Sequence, residues 1–122
     1  MNYSILFLFP LLSFIPTIVH AQGIIPNQDG TDTVVHQQGN QFNIQGGSRS
    51  SNNANLFHSF QEFNVNQGQT ANFISTPTIK NILGRINGGN PSMINGLIQV
   101  TGGNSNLFLM IRLALYLEQM LV

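Results

Sequence analysis

Apolar and polar residues alternate in short runs along most of the chain, and turn residues separate the runs. A period of two marks a strand with one buried face. Gln41 to Gln45 places Phe42 and Ile44 on one side, and Thr70 to Thr76 does the same with Ala71 and Phe73. Pro77 then limits pairing. Thr33 to His36 is rich in β-branched residues, and Ile94 to Thr101 and Ser105 to Met110 complete the predicted strands. Asn55 to Val65 carries apolar groups on both parities, which predicts a bend or bulge, or burial of both faces. Ile79, Ile82, Leu83 and Ile86 fall at helical spacing, but Gly84 and the following Gly88-Gly89 weigh against a helix. Gln22 to Asp32 reads as a turn-rich lead-in and Arg49 to Asn53 as a polar loop.

Turn signals recur at Asp29-Gly30, Gly39-Asn40, Gly46-Gly47, Gly68, Asn87-Gly88 and Asn95-Gly96. The last two pairs supply residues that tolerate positive φ. Short strands at this even spacing predict an all-β fold. Hairpin connections would give a sandwich, and triangular coils would give a parallel β-helix; the pattern leaves both open.

The two ends break the alternation. Residues 5 to 19 form an apolar run interrupted by Pro10 and Pro16, and Ala21 precedes Gln22. The run is short for a membrane span and reads as a signal-peptide helix, residues 1 to 21, cleaved between Ala21 and Gln22. No Lys or Arg precedes the apolar core. At the other end, residues 111 to 122 carry no Gly, no Asn and no alternation. Read by itself, that tail would be an amphipathic helix.

A chain of 122 residues holds one small domain. Four basic and four acidic side chains balance to zero, which argues against a nucleic-acid or membrane-surface partner. No cysteine is present, so disulfides and thiolate metal sites are excluded. Cohesion then falls to stacked strands, in which each layer covers the next. No catalytic constellation stands out, and no cofactor is expected. Asp29 and Asp32 lie in a turn without the spacing of a calcium loop. His36 and His58 lack neighbouring ligands and read as structural, and Glu62 has no local carboxylate partner. The Gly-Gly pairs match no phosphate loop. Phe57, Phe60 and Phe63 read as core.

Several ordered motifs carry a family likeness: the DGT turn at 29 to 31, FNIQGG at 42 to 47, NLFHSFQEF at 55 to 63, INGLI at 94 to 98 and NLFLM at 106 to 110. Together they resemble the N-terminal secretion domain of filamentous haemagglutinin-like exoproteins, cyanobacterial type. These are the passengers of two-partner secretion. The resemblance spans about Ile24 to Met110. It implies a right-handed parallel β-helix over residues 22 to 110, acting as an address and not as an enzyme. It also implies a secreted, cell-surface destination reached through the periplasm. The implied partner is the periplasmic part of a dedicated outer-membrane transporter, with the emerging domain seeding a long adhesive β-helix. A host or cell-surface ligand would be met only by a passenger region beyond this sequence.

For transporter recognition, the expected residues are Asn55, Leu56, Phe57, His58, Phe60 and Phe63, supported by the strands from 94 to 110. The alternative function is a self-standing secreted module that binds carbohydrate or protein through neutral polar faces. The family continues after NLFLM with an Asn-Pro-x-Gly turn and an Ile-x-Phe-Gly strand, whereas this chain reads IRLALYLEQMLV. Loss of one base after the Met110 codon accounts for the change. With an A restored and synonymous codons chosen, residues 111 to 122 become NPAGIVFGANAS. On that reading the chain is a truncated remnant with a frameshift-derived tail.

Overall fold

A computed structural model describes residues 23–111. The expected signal peptide and its expected cleavage between Ala21 and Gln22, like residues 112–122, lie outside the described residues. Among those described, the fold is all-β, and no helix is long and apolar enough to cross a membrane.

Nine strands form two mixed sheets. They are β1 (Ile24–Pro26), β2 (Thr33–Gln38), β3 (Gln41–Gly46), β4 (Ser48–Arg49), β5 (Asn55–Phe63), β6 (Thr70–Ile74), β7 (Asn81–Ile86), β8 (Leu97–Thr101) and β9 (Asn106–Ile111). The first sheet has the order β1-β5-β7-β9, with β4 also paired to β5; the second has the order β2-β3-β6-β8. From β3 onward the chain alternates between parallel series. β5, β7 and β9 stack in parallel in one sheet, and β3, β6 and β8 in the other. A parallel bridge between Val65 and Ile94 adds a third line of contact between successive layers.

Antiparallel strands occupy the N-terminal side. β1 and β4 cover one edge of β5, and β2 covers one edge of β3. The fold is all-β as expected, but its sheets are mixed: antiparallel strands flank the parallel series on the N-terminal side. β1 and β4 were not visible as strands because they are three and two residues long, and tertiary pairing alone extends them.

The segment with helical spacing is a strand, β7. Its neighbours β5 and β9 satisfy its backbone on both sides, which decides against local periodicity. The two-sided apolarity of β5 is a bulge. Pairing to β1 slips between Ile25 and Pro26, so Phe60 and Phe63 both turn inward despite opposite parity. The Asn-Gly pairs at 87–88 and 95–96 do not supply positive φ. Gly88 is required by close approach instead, because a Cβ there would strike the Gln61 carbonyl.

The core lies between the sheets. Phe42, Ile44, Leu56, Phe60, Phe63, Val65, Ala71, Phe73, Ile79, Ile82 and Ile86 are buried. Phe60 meets Phe63 and Phe73 edge-on, at centroid distances of 5.2 and 6.2 Å. Burial falls away at the last layer. Ile98, Val100, Leu107, Leu109 and Ile111 pack against the core but remain partly exposed.

Candidate recognition site

The β5 strand pairs with three of the other four strands of the first sheet: β1 and β4 on one edge, β7 on the other. Its side chains divide into two sets. Leu56, His58, Phe60 and Phe63 point into the core and are buried. Phe57 is 41% exposed on the outer face, and Asn55 is half-buried. Phe57 thus corrects the expectation that all three phenylalanines are core. Of the six predicted recognition residues, only Asn55 and Phe57 are presented by the folded domain. The remaining four are accessible to a partner only before folding.

A polar clasp holds β5 to β7. The lead-in after β1 lies across the outer face of β5. Asn27 donates from Nδ2 to Ser59 Oγ (3.0 Å) and to Asn87 Oδ1 (2.6 Å). Ser59 Oγ donates to Asp29 Oδ2 at 2.6 Å, and Arg85 donates to the same oxygen at 3.1 Å. The Thr31 amide closes the Asp29 turn on Oδ1 at 3.1 Å. The Ser59 hydroxyl first, then Thr31 and Arg85, hold the Asp29 carboxyl well below the usual carboxylate range. Its oxygens are engaged by donors of the chain itself, as suits a turn residue. Among the described residues, no group of three His, Cys, Asp or Glu is placed to share a metal ion.

His58 lies deeper, 2% exposed. Its ring is 6.0 Å from Phe60 and 5.8 Å from Phe73. Nδ1 lies 3.2 Å from Thr33 Oγ1, which also accepts the Ser59 amide at 3.0 Å. Nε2 is buried without a partner among the described residues. Burial pushes the imidazole down to about 4, so it is neutral at pH 7. Gly47 passes directly over it; a Cβ there would strike the Phe57 carbonyl and the imidazole ring.

Polar side chains also stack in columns. Asn81 donates to Asn55 at 3.0 Å, and Asn106 donates to Asn81 at 3.3 Å, across 26 and 25 residues of chain. In the second sheet, Asn72 donates to Asn43 at 3.1 Å and accepts from Thr101 at 2.9 Å. Each set links neighbouring strands of a parallel series; Asn55, Asn81 and Asn106 are direct ladder partners, whereas Thr101 reaches Asn72 diagonally from its place opposite Ile74.

The family model described as TPS secretion domain matches residues 21–111, most of the chain and all of its described strands. The chain belongs to the TPS secretion domain family. No curated protein and no solved structure gives a significant match. The TPS secretion domain assignment agrees with the filamentous haemagglutinin-like, two-partner secretion character of the motifs. It implies a secreted protein exported across the outer membrane, and interaction with a partner transporter there. The TPS secretion domain belongs to secretion and adhesin-type proteins, not to an enzyme family.

Sequence reasoning singled out NLFHSFQEF, and the structure shows why that segment is dense in signal: it is the hub strand. The clasp partners Asn27, Ser59, Arg85 and Asn87 were missed. Nothing in their spacing, up to 60 residues apart, announces that they meet.

Proposed function

We propose that this chain is the secretion signal of an adhesin-like exoprotein, recognised by its outer-membrane transporter, and that its layers template a right-handed parallel β-helix. The observation that carries this reading is the pair of in-register parallel series, β5-β7-β9 and β3-β6-β8, closed on one side by antiparallel strands. A stack of that kind grows by adding one layer at a time to an existing template. The half-buried apolar side chains of the last described layer are where growth would continue on this reading.

Burial of Leu56, His58, Phe60 and Phe63 separates recognition from folding. A transporter that meets the chain unfolded reads all six residues of the 55–63 segment, and folding afterwards hides four of them. Release after export then follows from folding itself, because the recognised groups become core.

On the same reading, residues 1–21 are the cleaved signal, 22–110 the secretion domain, and 111–122 a frameshift-derived tail in place of the Asn-Pro-x-Gly continuation. This chain is then a remnant deficient in transport. The test is a secretion assay in cells that express the partner transporter. The chain and a version restored to NPAGIVFGANAS after Met110 are each fused to a reporter. The restored form is expected in the medium, dependent on the transporter, with the present form retained. Export of neither form, or export of both without the transporter, refutes the reading.

A further inference from the structure

The tripeptide Ile-Asn-Gly occurs twice, at residues 86–88 and at residues 94–96. A glycine after asparagine has no side chain to screen its backbone nitrogen, so that nitrogen can attack the asparagine carboxamide. The two copies have the same residue before the asparagine and the same residue after it. The fold sets them apart.

At 94–96 the backbone is tied down. The Asn95 and Gly96 N–H groups donate to the Val65 carbonyl at 2.7 and 3.0 Å. Gly96 is also wedged in place: a Cβ there would strike the Asn66 and Gln69 carbonyls and the Val65 side chain. Its nitrogen is free to react only when this corner opens. At 86–88 the chain leaves β7 for a bend at 88–90, and Asn87 is exposed. The Asn87 amide donates to the Phe60 carbonyl at 3.1 Å, but the Gly88 amide meets no acceptor among the described residues. Gly89 follows in open space. Asn27 donates to Asn87 Oδ1 at 2.6 Å, so charge that builds on this oxygen during attack meets a donor already in place.

We propose that Asn87 is a self-modification site, where the chain converts its own asparagine to aspartate and isoaspartate while Asn95 is spared. The Gly88 nitrogen attacks Asn87 Cγ and forms a new bond to it. The Cγ–Nδ2 bond breaks, and the side-chain nitrogen leaves as ammonia, carrying the proton given up by the Gly88 amide. The product is a five-membered succinimide. Water then adds to one of its two carbonyls and opens the ring. One opening gives aspartate on the original main chain; the other gives isoaspartate, with the main chain running through the former side chain. Aspartate keeps an oxygen for Asn27. Isoaspartate lengthens the main chain by one carbon at the end of β7, where Gly88 is pressed against the Gln61 carbonyl. Either product adds a negative charge to a chain whose formal net charge is zero. The proposal does not depend on the transporter reading.

Ageing the purified chain at mildly alkaline pH tests it. Both asparagines fall in one tryptic peptide, residues 86–112, so fragment-ion mass spectrometry reads them in the same molecule. In the folded chain Asn87 is expected to convert at least about tenfold faster than Asn95, the factor set by breaking one backbone hydrogen bond. In urea the two should convert at similar rates, because their neighbours match. Asn87→Gln lengthens the side chain and disfavours ring closure. Isoelectric focusing should then show little acidic form over the time in which the unaltered chain acquires it. Equal rates in the folded chain, the outcome if residues 112–122 hold the Gly88 amide, overturn the proposal. So does a ratio that persists unchanged in urea, or an acidic form that accumulates in Asn87→Gln at the unaltered rate.

Discussion

Acidification is expected to unfold this domain through His58. The unfolded imidazole takes up a proton near its ordinary value of 6.5, whereas the buried ring does so only near about 4. Protons therefore bind the unfolded chain first and favour it. Stability is full above 6.5 and is lost as pH falls toward 4. The separation corresponds to about 3 kcal/mol when complete, and to about 2 kcal/mol by pH 5. Asp29 acts in a different window: its folded value is depressed, so its contribution is present above 3.8 and is lost only at lower pH. Urea unfolding at several pH values between 7 and 5 measures the His58 term. His58→Gln can keep a hydrogen bond to Thr33 Oγ1 without titrating, and should flatten the dependence. A wild-type stability at pH 5 within about 0.5 kcal/mol of that at pH 7 refutes the reasoning, since the extrapolation resolves larger changes. So does a His58→Gln variant that keeps the full slope.

Phe60→Ala empties the centre of the aromatic cluster, where the ring is 0% exposed, and should cost about 3–5 kcal/mol in urea unfolding. Gly47→Ala forces a non-glycine residue to φ 86° above the His58 ring, and should cost at least about 1–3 kcal/mol from the backbone alone. Asn81→Ala removes the middle of the first-sheet asparagine column and both of its bonds, and should cost about 1–2 kcal/mol in thermal or chemical unfolding. Asn106→Ala removes only one of those bonds and should cost less in the same measurement.

Strands were legible where alternation and burial coincide. Phe42 and Ile44, and Ala71 and Phe73, revealed β3 and β6 because each pair faces one core. β7 was ambiguous because Ile79 lies in the turn before the strand, where its buried side chain mimics helical spacing. β1 and β4 were illegible because their extended form comes from β5, a partner 30 or more residues away for Ile24. At the candidate site, the importance of 55–63 was legible from its density of aromatic residues. Its division into four hidden groups and two presented ones was not. Leu56, His58 and Phe60 follow simple alternation, but Phe63 is hidden on the other parity only because of the bulge opposite Pro26, which depends on β1. The role of Gly88 was misread for a similar reason: the Gln61 carbonyl that excludes a side chain is remote in sequence.

The asparagine column at 55, 81 and 106 also gives the fold a means of error checking. A strand arriving one residue out of step would set Asn55 against Ile82 and turn the apolar face of β7 to solvent. A slip of two would keep the faces correct, and hydrophobic burial by itself would tolerate it. Such a slip would set Asn55 against Leu83 and leave the Asn81 amide without its partner. The amides thus detect the mistake that greasy side chains overlook. In a parallel series such as β5-β7-β9, a misaligned strand would offer the wrong register to the next. A cheap polar checkpoint on each pass keeps that error from spreading.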